Sequence, residues 1–492
     1  MEIRDLSEAE RQVWDAFPLG RLVDFRQRTR EPADLGADWG PERTVRADVL
    51  RALLIDGPRQ EGETPYLRLN GARITGKLDL QYAEVAGAIH LWACYFDEEL
   101  DIYGAQLRQL NLGWSIFPGL CGVGLRVDGS LRMTGVRVRG KVRLGGARIS
   151  GALFLDRARL GEEGAARDPD EPILTLNRVT IDDDLTADQG FTAHGMVRLA
   201  GAVVAGTITF DDAVLSNPGG TALQASNLSA GTDLHAMRLT ARGRINLRGA
   251  RIPGQLNFTH ARLSNPGGMA LRASSLAVGE LWFKEAAPIE GSLTLRRSQL
   301  DLLRIAPETW PDEVRLDGLT YTTLDPHEPA ERRLQILGRD SDGYVPYAYE
   351  QLSTAYRRIG DDAAARKVQL AKLRRHRTTL PWYAKAWGHL QDVTVGYGFR
   401  PTRAAVWLLS LLLIGSVTYA VREPVALKPK EAAEFNPVFY TLDLLLPIID
   451  FGQEHAYASR GAYQWLGYAL VIMGWTLATT IAAGVTRSIS RQ

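Results

Sequence analysis

Apolar residues return along most of this chain with a period of 11. The stretches GARITGKLDLQ (71–81), GARISGALFLD (146–156) and GARIPGQLNFT (249–259) show the unit most plainly, each reading Gly-Ala-x-Ile-x-Gly-x-apolar-x-apolar. The closing apolar pair recurs at Leu67/Leu69, Leu78/Leu80, Ile89/Leu91, Leu100/Ile102, Leu131/Met133, Val142/Leu144, Leu153/Leu155, Val197/Leu199, Ile208/Phe210, Ile245/Leu247 and Leu256/Phe258. Apolar and polar positions alternate within a unit, which is the period of a strand. Each run nevertheless places only two residues inward before a small residue breaks it. Short strands with regular corners predict a mainly β fold, a right-handed parallel β-helix built from 11-residue half-coils. The two inward pairs of a unit, Ala-x-Ile and Leu-x-Leu, supply two faces, so two units close a four-faced coil. Alanines such as Ala72, Ala147 and Ala250 suit a narrow interior. The glycines two places before many apolar pairs, among them Gly76, Gly87, Gly140, Gly206 and Gly254, are expected at corners of positive φ.

The alternating A-x-I and L-x-L faces from Leu67 to Leu316 resemble the pentapeptide-repeat β-helices and their looser relatives, including bactofilin-like coils. The units here are 11 long rather than five. Two copies of LSNPGG, at Leu215–Gly220 and Leu263–Gly268, stand 48 residues apart. Asn-Pro-Gly-Gly is turn chemistry, so these are expected as loops protruding on one side. Asn217, Pro218, Asn265 and Pro266 are candidate partner contacts, against the blander reading of a tolerated excursion recorded by duplication. A longer insert, GEEGAARDPDEP (161–172), interrupts the same pattern.

The flanks follow a helical period. Residues 1–57 are expected as a helical cap on the open first coil, with Ser7 and Glu10 forming a capping box and Val45, Val49, Leu50 and Leu53 an apolar stripe. The repeat domain occupies 65–320. A helical hairpin follows over 330–380, with Gly360 ending one helix and Asp361 or Asp362 capping the next; it resembles a single tetratricopeptide-like unit.

Two later stretches change the class of protein. Ala404–Val421 and Gln464–Thr486 carry no charge and approach or reach the roughly 20 apolar residues that span a bilayer as a helix. The region 381–492 is therefore expected to be a membrane domain, the bilayer being a partner. Arg374, Arg375, Arg377, Lys385, Arg400 and Arg403 precede the first span, and Arg487 and Arg491 follow the second. The positive-inside rule then places both termini in the cytoplasm, in a plasma (inner) membrane, with those six basic residues near anionic lipid headgroups.

Between the spans lies FNPVFYTLDLLLPIIDFGQEH (435–455). Asn436 and Pro437 make an N-cap and first residue for a short helix over 437–447. A short apolar helix followed by an irregular IIDFGQ resembles the pore helix and filter of two-span potassium-channel-type proteins. That resemblance implies a homo-oligomer with Thr441, Asp443, Asp450 and Gly452 facing an ion path. Pro447 falls near the threonine position of such a filter, and Asp450 replaces its first glycine, which argues against potassium and for a carboxylate ring favouring cations. Asp443 needs a partner or water, with Thr441 or an adjacent subunit as candidate partners. The alternative is a helix resting on the outer leaflet with both aspartates wet.

Composition narrows the rest. The chain has 492 residues, with 58 basic and 57 acidic side chains that nearly cancel, so no global field points to nucleic acid. Its two cysteines, Cys94 and Cys121, offer neither a disulfide framework nor a metal site. No P-loop, dinucleotide fingerprint or H-E-x-x-H appears. His194, His235 and His260 fall in separate units, and the triplet Asp182–Asp184 reads as a solvated turn. No cofactor is expected. The leading functional expectation is a channel-like, cation-permeable membrane protein whose β-helix senses or docks a cytoplasmic protein or ligand. A non-conducting, membrane-anchored scaffold is the alternative. A membrane-associated oxidoreductase ranks third, since these residues supply no redox centre.

Overall fold

The computed structural model describes residues 5–26, 33–165, 168–385, 388–389, 401–428, 434–446 and 449–489, with backbone alone at 401–404 and 479–489. They form two compact units, Met1–Gln351 and Leu352–Gln492.

The first unit is a parallel β-solenoid of about 12 turns. Leu67 pairs with Ile89, Ile89 with Leu110, Leu110 with Leu131 and Leu131 with Leu153, so one coil takes 21 or 22 residues, two of the sequence units. Inserts lengthen later steps, such as Leu153 to Leu185. In one coil the strands Glu84–Val85 and Ile89–Trp92 belong to a 20-stranded sheet, and Tyr95–Phe96 and Leu100–Asp101 to a 17-stranded one. Every strand hydrogen-bonds to the coils beside it. The Leu-x-Leu and Ala-x-Ile residues fill the interior: Leu131, Met133, Val142, Leu144, Leu153 and Leu155 are fully buried, as are Ala147, Ala202 and Ala250.

The corners differ from the expectation. Positive φ falls one place ahead of the small Ala position, at Gly71, Gly146, Gly201 and Gly249 but equally at Tyr82, Trp114, Arg178 and Asn227. Most of the glycines before the apolar pairs have ordinary φ. Gly140 is needed because a Cβ there would lie 2.4 Å from the Pro118 carbonyl oxygen of the preceding coil. The period locates two small positions per unit, and only the coil stack decides that one bends the chain while the other lets coils approach.

The N-terminal segment is more than a helical cap. Leu22–Asp24 pairs with Leu67–Asn70, and Thr44–Arg46 with Arg73–Thr75, adding an incomplete coil before the first repeat. Helices Glu8–Ala16 and Ala47–Asp56 accompany it, burying Val13, Val49, Leu50 and Leu53. The Ser7–Glu10 capping box forms. Glu10 also accepts from Arg46 Nε and Nη2, both at 2.8 Å. Burial alone would raise the Glu10 carboxyl, but those bonds and the Ser7 and Arg46 backbone amides hold it down at about 2. At the other end, helix Ala330–Gly338 lies over the last coils, where Arg333 donates to the carbonyl oxygens of Ile305 and Pro326, each at 2.8 Å. Cys94 is buried, and burial pushes its thiol up to about 12.

In the second unit, helix Asp362–Thr379 is capped by Asp361, whose side chain accepts from Ala364 N. Two long helices, Pro401–Val421 and Ala462–Ile489, enclose the short helix Pro437–Leu445. Two glycines make room for it. A Cβ at Gly415 would meet Thr441 Cγ2 at 2.3 Å, and one at Gly474 would meet the Leu445 carbonyl oxygen at 2.2 Å. Leu411, Tyr419, Tyr440, Leu444, Leu445, Leu470 and Leu477 form the core between the three helices. Among the described residues, no helix is long and apolar enough to cross a membrane; for the two long helices the described side chains cover 405–421 and 462–478.

Candidate functional site

The two LSNPGG copies sit in the 17-stranded sheet, inside the long strands Val214–Gln224 and Arg262–Arg272. Each bulges out of register, between Ser216 and Thr221 in the first and between Ser264 and Met269 in the second. An asparagine pins each bulge at its neck: Asn217 Nδ2 donates to the Thr221 carbonyl oxygen at 2.9 Å, and Asn265 Nδ2 to that of Met269 at 2.9 Å. Asn217 also donates to the Pro169 carbonyl oxygen at 2.8 Å, tying the longer insert to the first bulge. Pro218 and Pro266 are exposed at the tips.

The bulges occupy alternate coils. The coils between them have a glycine at the corresponding place, Gly243 and then Gly291 after the second bulge. A Cβ at Gly243 would lie 2.4 Å from the Asn217 carbonyl oxygen, and one at Gly291 2.6 Å from that of Asn265. The glycine coil thus forms the floor of a slot between two raised walls. A cavity of about 560 Å³ lies there, with Pro218, Arg242, Arg262, Ser264, Pro266 and Glu290 among its lining.

The sequence reading of the other end is partly revised. Thr441 is buried, but its hydroxyl donates to the Pro437 carbonyl oxygen at 2.7 Å and does not reach Asp443. Asp443 is 6% exposed and satisfied within the chain. Its Oδ1 accepts from Phe451 N at 2.5 Å, and its Oδ2 from Gln453 N at 2.7 Å and Glu454 N at 3.1 Å. It therefore holds the turn that follows the short helix. Asp450 is on the outside of that turn, accepting from Gly452 N at 2.7 Å with His455 Nε2 at 3.6 Å. Gly452 has a φ of 79°, the left-handed conformation that lets the turn reverse. Asn436 caps the short helix as expected, accepting from Val438 N and Phe439 N. Gln453 is a residue the sequence reading missed. It is buried, its Oε1 accepts from Asn436 N at 3.3 Å, and its Nε2 donates to Glu434 O at 3.2 Å. A glutamine next to a glycine in an apolar run was the available signal. Pro447 lies outside the described residues.

Of the basic candidates, Arg374 and Arg375 are exposed, while Arg377 and Lys385 are half-buried. Arg377 Nη1 donates to the Gly388 carbonyl oxygen at 3.3 Å. Arg400 and the side chain of Arg403 lie outside the described residues. Among the described residues no group of three or more His, Cys, Asp and Glu side chains is placed to hold a metal ion. Asp184 of the acidic triplet accepts from Thr207 N at 2.7 Å, joining two coils.

One titratable cluster is set by the stack itself. Asp156, Asp188 and Asp211 recur at one corner of successive coils, where Arg157 N donates to the Asp188 carbonyl oxygen. Desolvation, followed by the Asp156 and Asp211 carboxylates, raises Asp188 to about 6. The folded state thus holds this proton more tightly than the unfolded chain does. Its contribution is fully present below the unfolded value of 3.8 and is lost as pH rises through 6. Asp188→Asn is expected to flatten that loss and stabilise the solenoid at pH 7.5 by about 1 kcal/mol, allowing for solvent screening. Urea unfolding of parent and variant at pH 4.5 and pH 7.5 measures it.

Compared with protein families, curated proteins and solved structures, the chain matches none of them.

Proposed function

We propose that this chain is a membrane-anchored scaffold: the C-terminal helices sit in a bilayer and the β-solenoid presents a docking surface. The observation that carries the reading is the inverted polarity of the helical hairpin. Its outer surface is apolar, with Leu409, Leu413, Ile414, Val417, Ile472 and Trp475 all more than half exposed. Its polar side chains Thr441, Asp443 and Gln453 are buried and hydrogen-bonded inside. Water would favour the reverse arrangement, whereas hydrocarbon favours this one. The backbone helix Pro401–Val421 has 21 residues, or about 31 Å at 1.5 Å per residue, close to the thickness of the hydrocarbon core. Arg374 and Arg375, with the exposed Trp382 and Tyr383 beyond them, supply the basic and aromatic flank that favours a cytoplasmic N-terminal side of an inner membrane.

Flotation of the full chain with phosphatidylglycerol-containing vesicles tests the anchor. The chain is expected to float and to resist alkaline carbonate extraction. Replacing Leu409, Leu413 and Val417 together by Lys is expected to abolish both. A parent chain that stays in the aqueous fraction would sink the proposal.

The channel reading remains as a second proposal because Asp450 is exposed at the turn beyond the short helix, free to face an axis in an oligomer. Planar-bilayer recording decides between the two. A cation current whose selectivity changes in Asp450→Asn supports conduction, and intact oligomers without current support the scaffold.

A further inference from the structure

We infer that the slot between the two Asn-Pro-Gly-Gly bulges binds an extended, acidic peptide segment with carboxylates at alternate positions. This rests on the docking role proposed for the solenoid and names the chemistry of its partner.

The width of the slot selects the backbone form. Its walls are bulges on coils two apart, so their centres are separated by two strand spacings, about 10 Å. A helix with its side chains is about 10–12 Å across and does not fit between them. A single extended chain does. Pro218 and Pro266 give the walls rigid apolar faces, and Gly243 keeps the floor clear of a side chain.

Charge selects the sequence. Arg242 and Arg262 both line the cavity and are exposed. No ion pair or hydrogen bond of either guanidinium occurs among the described residues. Arg73, Arg143, Arg238 and Arg304, by contrast, each have a carboxylate partner, so what distinguishes Arg242 and Arg262 is their shared place at the slot. Register fixes the spacing of the free pair. Thr240 pairs with Arg262 and Arg242 with Ser264, so the two arginines lie on adjacent strands, two residues apart along them. Their Cα atoms are thus about 8 Å apart diagonally. In an extended chain, residues i and i+2 point to the same side about 7 Å apart. Glutamates at i and i+2 therefore reach both guanidiniums at once, each as a charge-assisted pair. Ser264, whose hydroxyl donates to Glu290 Oε2 at 2.5 Å, marks the end of the basic section. Glu290 beyond it disfavours a third carboxylate there.

Fluorescence anisotropy on the full chain in nanodiscs tests this with four labelled octapeptides. They are Ser-Thr-Glu-Val-Glu-Thr-Ser-Gly, the same with both Glu changed to Gln, the same with both changed to Lys, and an isomer with the two Glu adjacent. The first is expected to bind at least tenfold tighter than the Gln and Lys forms, and about fivefold tighter than the isomer. Arg242→Ala with Arg262→Ala should weaken it at least tenfold, the Lys pair should restore part of the loss, and Arg148→Ala, exposed elsewhere on the solenoid, should change nothing. A parent-like thermal midpoint in the double variant shows that folding is intact. Equal binding of the Glu and Gln peptides overturns the inference. So does an Arg148→Ala loss as large as that of the double variant, or saturation of the arginines by inorganic phosphate with no peptide binding. Vesicle flotation reads the anchor separately, so a chain that floats but ignores the peptides refutes the slot alone.

Discussion

Gly231→Ala is expected to destabilise the solenoid by about 3 kcal/mol, although it adds a single methyl group. The cause is the separation between coils. A Cβ at Gly231 would lie 1.7 Å from the carbonyl oxygen of Ala205 and 2.5 Å from its carbonyl carbon. Neither atom belongs to a flexible side chain, so the coils must separate. Separation breaks the bonds that Gly231 N donates to Val204 O at 2.8 Å and Gly206 O at 3.3 Å, leaving backbone groups unpaired. Gly146→Asn provides the contrast. Gly146 has a φ of 68°, and a Cβ there meets nothing within 4 Å. The same corner of other coils holds Arg178, Asn227, Ser275 and Arg297 at φ of 52° to 55°. Asparagine tolerates this conformation, so the change should cost less than about 1 kcal/mol. Urea unfolding followed by circular dichroism separates the two. If both glycines proved equally sensitive, corner strain rather than coil spacing would govern the stack.

That contrast also marks what the sequence could carry. The period of 11 is a local property repeated many times, so the solenoid, its half-coils and its buried Leu-x-Leu pairs were legible. Caps were legible for the same reason, because Ser7 with Glu10 and Asn436 with Pro437 act within three residues of themselves. The roles of the two glycine positions were not legible, since a period says nothing about which small residue meets a neighbouring coil. The strands Leu22–Asp24 and Thr44–Arg46 were missed because each occurs once, without a repeat to reveal it. The docking slot was hidden by register. LSNPGG was visible twice, but the diagonal placement of Arg242 and Arg262 on adjacent strands depends on how many residues each coil consumes. Asp443 was found as a candidate with its partner left open, and the three amides that hold it were not foreseen because backbone amides have no signature in a sequence.

Asp443→Ala is expected to release the turn after the short helix, at a cost of about 4 kcal/mol. The carboxylate accepts from three backbone amides, Phe451, Gln453 and Glu454, in a position only 6% exposed. Bonds to a charged acceptor contribute about 1.5–3 kcal/mol each, and buried donors without a partner are costly. Asp443→Asn keeps the size but turns one acceptor into a donor facing an amide, so it should recover little of the loss. Amide hydrogen exchange on the full chain in nanodiscs reads the effect directly. Exchange at Phe451, Gln453 and Glu454 should accelerate about a thousandfold, as each 1.4 kcal/mol corresponds to a factor of ten. Asp450→Asn serves as the counter-test. Its exposed side chain accepts from Gly452 N and faces His455 Nε2, both outside the three amides that Asp443 holds, so exchange at those amides should stay near the parent rate. The pair of variants divides the two aspartates that the sequence had placed together, one as the support of the turn and the other as its exposed charge. Altered ion selectivity in Asp443→Ala would therefore report a collapsed turn, whereas only a change in Asp450→Asn with unchanged exchange would assign an ion-facing carboxylate. Unaltered exchange in Asp443→Ala would show that the short helix and the apolar core hold the turn without the carboxylate.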